Sequence, residues 1–210
     1  MKNVCFSIRL TASLLTLAWG AAAAAAEDTN SVSGADAQMA AAMTQMSQPN
    51  ENHKVLAEEV GSWNYKVKWW MSPDAPPLEA TGTSVTKSVM EGRYFISEST
   101  GKMSMPGPDG KMVDSKYEGM GTEGYDNAKT KYVASWIDNM GTGIMSMEGA
   151  YDPATKTLTY EGDEQMMPGV KVKVRQKVKA LDKDHRMMEF FQVQGDKEVR
   201  LMEITYSRAN

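Results

Sequence analysis

Five carboxylates fall inside segments that otherwise alternate apolar and polar residues, and they are the first candidates for chemistry: Glu98, Asp138, Glu148, Glu189 and Glu203. A carboxylate that points into a protein interior is costly unless it is paired, and Arg93 and Arg175 are available as partners. Paired carboxylates also perform general acid and base catalysis. Structural ion pairs are favoured here over a hydrolase or isomerase that uses Asp138 or Glu189, and no residue is assigned a catalytic role.

The run Gly119-Met120-Gly121-Thr122-Glu123-Gly124 matches the G-x-G-x-x-G pattern of dinucleotide-binding loops. That chemistry requires the glycines to open a helix whose N-terminus meets the pyrophosphate. Tyr125-Asp126 and a turn follow here instead of a helix. We therefore interpret the run as glycines that let a strand bend, and no cofactor is expected.

Histidine and methionine are the remaining chemical candidates. His53 and His185 fall at a helix start and in a turn, and no nucleophile-elbow motif is present, so neither is assigned to a triad. Among 18 methionines, Met103-Ser104-Met105 and Met145-Ser146-Met147 place two thioethers on one strand face, where they can bind Cu(I). Flexible filling of an irregular apolar cavity is the favoured interpretation, because no histidine or cysteine lies beside these pairs, and no metal site is assigned.

Short segments of alternating polarity, separated by turn-forming residues, must position these side chains from Gly61 onward. Trp63, Tyr65, Val67 and Trp69 share one face of the first segment. Nine further strands are expected over residues 79–90, 93–103, 115–125, 130–139, 144–151, 157–165, 170–181, 186–193 and 198–208. Tight links and the lack of a crossover helix predict an all-β fold, a single antiparallel up-and-down β-barrel of about ten strands. A short N-terminal helix at residues 52–59 is expected to plug one end.

Residues 1–26 differ in composition from the rest of the chain. Lys2 and Arg9 precede an apolar run, and Ala24-Ala25-Ala26 offers a cleavage site, which is typical of a Sec signal peptide cleaved after Ala26. The protein is therefore expected to be periplasmic or secreted. A retained membrane anchor is the alternative, although the apolar run is short for a span.

Cleavage would also change the chemistry of the mature chain. It removes Cys5, the only cysteine, and two basic residues but no acidic ones, so the net charge changes from −4 to −6. No disulfide or thiolate site is then expected, and the charge argues against a nucleic-acid partner. Residues 27–50 are predicted to be a flexible or loosely helical tether, with a helix packed on the barrel as the alternative, and residues 51–210 are predicted to form the barrel domain.

The residues at the two ends of the predicted barrel resemble a known signature. Gly61-Ser62-Trp63 opens the first strand and Arg208 closes the last, as in lipocalin-type (calycin) barrels. The resemblance implies that Arg208 stacks on Trp63 and joins these strands. A wider set of motifs is similar to a bacterial domain-of-unknown-function family of secreted proteins with a lipocalin-like barrel: residues 53–56, 61–63, 92–94, 124–126, 136–138 and 202–208. This resemblance implies a fold but no activity, cofactor or catalytic residue.

These features predict a barrel that binds a small apolar or amphipathic molecule in its interior. The expected ligand-binding residues combine aromatic, thioether and charged groups: Tyr65, Trp69, Arg93, Trp136, Asp138, Met145, Met147 and Glu189. An enzyme in the barrel cup, a Cu(I)-binding protein and an envelope-interaction module without a ligand are the alternatives.

Overall fold

The computed structural model describes residues 34–209, apart from the side chains of residues 166 and 167. Two compact units are distinguished, Met1–Met39 and Ala40–Asn210. The described part of the first unit is residues 34–39, which are exposed and helical. The predicted signal peptide, residues 1–26, lies outside the described residues, as do residues 27–33 of the predicted tether.

Two helices precede the barrel strands. Helix α1 spans Gly34–Ser47, so the described part of the predicted tether is largely helical. None of the residues of this helix is buried. Helix α2 spans Glu51–Ala57. Asn50 caps its N-terminus, because the Asn50 Oδ1 accepts a hydrogen bond from the backbone N–H of Asn52 at 2.9 Å. The Nδ1 of His53 in turn accepts from the Asn50 backbone N–H at 3.0 Å, so His53 has a capping role.

The described residues form ten strands. Their bounds are β1 Gly61–Trp69, β2 Leu78–Val89, β3 Tyr94–Pro106, β4 Met112–Asp126, β5 Lys131–Asp138, β6 Met145–Asp152, β7 Thr157–Met167, β8 Val170–Ala180, β9 His185–Gln194 and β10 Lys197–Arg208. A 3-10 turn, Met90–Gly92, joins β2 to β3. The β3–β4 hairpin is longer than predicted, because Met105 and Pro106 still pair with Val113 and Met112 before the turn.

Each strand pairs antiparallel with its sequence neighbour, and β1 pairs with β10, so the sheet closes into a barrel. The prediction of a ten-stranded up-and-down barrel is therefore confirmed. In β1 the alternation is direct, since Trp63 and Tyr65 are buried while Asn64 and Lys66 between them are exposed. Closure leaves no free edge in the sheet.

Helix α2 plugs one end of this barrel, as predicted. Leu56 packs there in a cluster of buried side chains contributed by five strands: Phe95, Tyr132, Met147, Leu158, Tyr160 and Val174. The Tyr132 hydroxyl donates to the backbone carbonyl of Asn52 at 3.2 Å, which attaches the helix to β5. The opposite end is bounded by the connections that follow Trp69 and Asp138.

Trp63 joins the first and last strands at the plugged end of the barrel. It lies opposite Arg208 in the β1–β10 register, and the Arg208 guanidinium carbon is 4.2 Å from the indole centroid. The guanidinium carbon of Arg186 lies 4.9 Å from the same ring. Arg208 also donates from Nη1 to the carbonyl of Val60 at 2.9 Å, so the cation–π contact is anchored to the backbone that enters β1.

Candidate functional site

The barrel encloses a cavity of about 450 Å³. Its wall is largely aromatic and aliphatic, because the inward-facing positions of most strands carry large apolar side chains. Members of this wall are Val67, Trp69, Trp136, Met145, Met147, Val178, Met188, Phe190 and Ile204. This volume falls within the range of small-molecule sites in proteins.

Trp136 lies across β4, where two glycines make room for its indole. A Cβ added at Gly121 would lie 2.9 Å from the Trp136 Cε3, and one at Gly119 would collide with the Cζ2. The Trp136 Nε1 donates to the Asp138 Oδ2 at 3.0 Å, which orients the ring further. The glycine run therefore accommodates an indole, and β4 continues through it without opening a helix.

Gly121→Ala is expected to destabilise the fold by about 1–3 kcal/mol, because the new methyl group would displace the Trp136 ring. Gly141→Ala is the matched control, since an added Cβ there meets nothing within 4 Å. Its effect is expected to stay within about 0.5 kcal/mol. Urea unfolding of both variants measures the difference, and equal midpoints would contradict the packing of Trp136 on β4.

One side of the cavity, formed by β2 and β3, carries hydroxyl groups instead of apolar side chains. Ser84 and Ser99 are hydrogen-bonded at 3.0 Å, and Thr86 and Ser97 at 2.8 Å. All four residues line the cavity. Because the hydroxyls bond to each other in pairs, this strip is polar without carrying a charge.

The floor of the cavity, at the end plugged by α2, carries charged groups that pair across strands. Glu59 follows α2, Glu123 lies on β4 and Arg186 lies on β9, and all three line the cavity. The Arg186 Nη1 lies 2.8 Å from the Glu59 Oε1, and Arg186 also donates to the backbone carbonyl of Glu58. We call Glu59, Glu123, Arg186 and the adjacent Tyr160 the floor cluster.

The two carboxyl groups of the floor cluster compete for one cation. Burial, followed by the charge of Glu59, raises the pKa of Glu123 to about 8. Burial also raises the pKa of Glu59, although the Arg186 charge opposes this shift. At neutral pH Glu123 is therefore largely protonated, while the neighbouring Glu59 forms the ion pair with Arg186.

Two polar atoms of the floor cluster make no hydrogen bond of good geometry among the described residues. They are the Tyr160 hydroxyl and the Arg186 Nε, and both are buried. Burial and then the charges of Glu123 and Glu59 raise the pKa of Tyr160, which places its hydroxyl beside the two carboxyls. A buried polar group without a partner is unfavourable, so the cluster is incomplete as it stands.

Six of the eight predicted ligand-binding residues line the cavity: Tyr65, Trp69, Trp136, Asp138, Met145 and Met147. Arg93 does not, because it follows the 3-10 turn and donates outside the barrel to the carbonyls of Ser47 and Met90, at 2.9 and 3.1 Å. Glu189 does not either, since Met188 and Phe190 take the inward positions of β9. Neither Arg93 nor Glu189 therefore lies in the wall of the cavity.

The other strand carboxylates also face outward, where basic residues pair with them. Glu98 contacts Lys87 at 3.4 Å, and Glu148 contacts Lys129 and Lys131 at 2.6 and 2.9 Å. Glu189 and Glu203 share Arg200 at 3.2 and 2.8 Å. Ion pairing is thus the structural role of these four carboxylates.

Neither carboxyl group of the floor was predicted from the sequence to lie in the site. Glu123 pairs in register with Ala134, which shares a strand face with Trp136. The hairpin register could therefore have placed Glu123 inside the barrel. Glu59 lies between α2 and β1, outside any periodic segment, so no sequence pattern indicates its direction.

Three methionines line the cavity, while the two histidines lie elsewhere. His53 is buried at the α2 cap, and His185 contacts Asp182 at 2.9 Å in an exposed turn. Met103, Met145 and Met147 line the cavity, so the thioethers that the Cu(I) alternative requires face the barrel interior. Within residues 34–209, no group of three or more His, Asp or Glu side chains is arranged to bind a metal ion.

The fold and its cavity define a class of protein, the closed antiparallel barrel of ten strands with a hollow interior. The chain belongs to the family described as Protein of unknown function (DUF1579), whose model matches residues 48–208. This match confirms the resemblance to a domain-of-unknown-function family. No curated protein matches the sequence significantly.

The crystal structure of Rv2717c from M. tuberculosis is similar in fold. Its TM-score is 0.52 at 12% sequence identity, over 78% of this chain and 100% of that chain. At that identity the likeness concerns the fold alone. No helix in the described part of the chain is both long enough and apolar enough to cross a membrane.

Proposed function

We propose that this protein binds one small apolar or amphipathic molecule inside the barrel. The observation that carries the proposal is the cavity of about 450 Å³ with an aromatic and thioether wall. Burying an apolar ligand there removes its surface from water, which favours binding by roughly 25 cal/mol for each Å². Trp69, Trp136 and Tyr65, with Met145 and Met147, are proposed to contact the apolar part.

The distribution of polar groups favours an amphipathic ligand over a purely apolar one. The floor cluster lies at the plugged end, while Trp69 and Met103 line the cavity toward the other end. A ligand with a polar end would therefore bind with that end at the floor cluster. Its apolar part would then lie against the indole of Trp136.

Titration with the neutral dye N-phenyl-1-naphthylamine tests the proposal. We expect enhanced dye emission with micromolar affinity, because the dye leaves water for an aromatic cavity. Ala134→Phe, which fills the cavity from β5, should weaken binding at least tenfold. Ala150→Phe is the matched control, because Ala150 is exposed on β6. The affinity of this variant for the dye should stay within twofold of that of the unmodified chain.

The outcomes separate clearly. A folded Ala134→Phe variant that binds the dye as tightly as the unmodified chain would place the dye outside the barrel and contradict the proposal. Circular dichroism at the temperature of the titration establishes that both variants are folded. No saturable emission change with the unmodified chain would also contradict it.

We also propose that the protein acts in the periplasm or outside the cell, on the leader-like composition of residues 1–26. Native mass spectrometry of protein purified from an envelope fraction tests location and ligand together. A mass corresponding to cleavage after Ala26 would support export, and a second species at higher mass would show a retained molecule. A full-length mass would contradict cleavage.

The floor cluster favours a second candidate function, acid–base catalysis. A protonated carboxyl beside an ionised one is an arrangement that enzymes use to divide the roles of acid and base. Glu123 would be the acid, in place of the Asp138 and Glu189 considered from sequence. Turnover of an ester or ketone substrate that Glu123→Gln abolishes would support this candidate, and equal turnover by that variant would reject it.

A further inference from the structure

The floor cluster has one positive charge for two carboxyl groups. Arg186 contacts Glu59, while Glu123 has no cation of its own within the described residues. Four charged or titratable groups face Glu123, and each comes from a different element packed there. They are Glu59 after α2, Tyr160 on β7, Arg186 on β9 and Tyr206 on β10. Arg208, the other guanidinium that contacts Trp63, donates to the Val60 carbonyl and lies 3.6 Å from Asp184.

A bound cation would complete this arrangement. An ammonium group has three N–H donors and no acceptor, so it can bond to Glu59, Glu123 and the Tyr160 hydroxyl oxygen together. A carboxylate in the same place would face two acidic groups and find Arg186 already paired. The Tyr160 hydroxyl is fully buried beside the Glu123 carboxyl and makes no hydrogen bond of good geometry among the described residues, which is an independent sign that a ligand group belongs here.

We propose that the floor cluster binds the ammonium end of an amphipathic amine, and that the proton of Glu123 leaves to solvent when the amine binds. This inference rests on the proposed function, because it names the ligand class of the same cavity. The reaction balances as one ammonium bound and one proton released. A proton is available to leave because burial raises the pKa of Glu123 to about 8.

The Arg186 Nε adds a preference within that class. This donor is buried and without a partner among the described residues, and it needs an acceptor. A hydroxyl on the carbon next to the amine could accept from it while the ammonium faces the carboxyls. A 2-amino alcohol should therefore bind at least as well as the simple amine.

Calorimetric titration with three ligands of one chain length tests the inference: decylammonium, 1-decanol and decanoate. At pH 6.5 decylammonium should bind at least tenfold more tightly than decanoate, with the neutral alcohol between them. Titrations in buffers of different ionisation enthalpy should show the release of close to one proton for decylammonium and none for 1-decanol. Equal or tighter binding of decanoate would overturn the inference.

Glu123→Gln isolates the residue, because glutamine resembles the protonated acid in shape. We expect it to weaken decylammonium binding about tenfold, to abolish proton release and to leave 1-decanol binding unchanged. Glu164→Gln is the matched control, since Glu164 also lines the cavity but lies four residues beyond Tyr160 on β7. That separation is roughly 13 Å along the strand, so proton release should persist.

The failure of this inference is distinguishable from the failure of the proposed function. If the neutral dye and 1-decanol bind while decylammonium has no advantage, the cavity binds ligands without the proposed selectivity. If proton release persists in Glu123→Gln, another group is the source and the inference is wrong. If the dye and all three decyl compounds fail to bind, the proposed function itself is wrong.

Discussion

At pH 8 the Glu123→Gln variant is expected to be more stable than the unmodified chain by roughly 3–5 kcal/mol, while at pH 5 the two should be nearly equal. Glutamine keeps the neutral state of Glu123 at every pH. The glutamate instead must ionise beside Glu59, inside the barrel, as the pH rises. The difference between the two chains should therefore grow continuously between these pH values.

The sign follows from proton binding. The pKa of Glu123 is raised to about 8 in the folded chain, so this state holds a proton that the unfolded chain releases near its ordinary pKa. Its stabilising contribution is complete below the unfolded pKa and is lost as the pH approaches 8. The raised pKa of Glu59 acts in the same direction. The lowered pKa of buried His53 acts oppositely below about pH 6.5, which is why the variant is compared with the unmodified chain.

Urea unfolding at pH 5, 6, 7 and 8 measures this difference. Glu164→Gln serves as the control for the loss of one carboxyl group from the cavity wall, since Glu164 lies outside the floor cluster. A constant difference between Glu123→Gln and the unmodified chain would mean that Glu123 ionises as readily in the barrel as in the unfolded state. That result would also remove the support that protonation gives to the amine inference.

Arg186→Met is expected to reduce the free energy of unfolding by about 3–5 kcal/mol at pH 7. The substitution leaves Glu59 in the floor without its cation, and it also removes one of the two guanidinium groups that contact Trp63. Methionine retains the length and apolar volume of the arginine stem, so the effect reports mainly the lost charge.

Arg200→Met provides a close comparison on the outer surface. Arg200 also pairs with glutamates, Glu189 and Glu203, and its guanidinium carbon lies 4.6 Å from the Trp70 ring. The decisive difference is exposure, since the side chain of Arg200 is 42% exposed and that of Arg186 10%. Removing the exposed arginine is expected to cost less than about 1 kcal/mol.

The double variant Arg186→Met with Glu59→Gln completes the experiment. It should recover part of the stability lost in Arg186→Met, because no uncompensated charge then remains at position 59. Chemical denaturation of Arg186→Met, Glu59→Gln and the double variant gives the coupling between the two residues. Equal losses for Arg186→Met and Arg200→Met would show that solvent reaches the floor freely.

Local patterns were enough to predict the barrel strands. Turn-forming residues such as Asp126 and Pro153 separate segments whose polarity alternates, and in β1 the buried Trp63 and Tyr65 lie on the predicted face. Because every pairing joins sequence neighbours except β1 with β10, local signals determine most of the topology. Closure itself was expected from the Trp63 and Arg208 resemblance.

The charged residues of the site were harder to predict, since their environment depends on strand register. Glu189 lies in an apolar segment, yet Arg200 from the neighbouring strand makes its outward position favourable. Glu123 was hidden within a glycine-rich run that resembled a nucleotide-binding motif. Glu59 and Arg186 meet across 127 residues of sequence separation, which no local pattern records.

Closure through β1 and β10 also affects how the chain reaches its folded state during synthesis. Trp63 emerges from the ribosome 145 residues before its strand partner Arg208. Until then β1 lacks one neighbour and the newest strand exposes unpaired backbone groups, which invite association with other chains. Closure of this barrel therefore has to wait until β10 has been made, although β1 is the first of its ten strands to emerge.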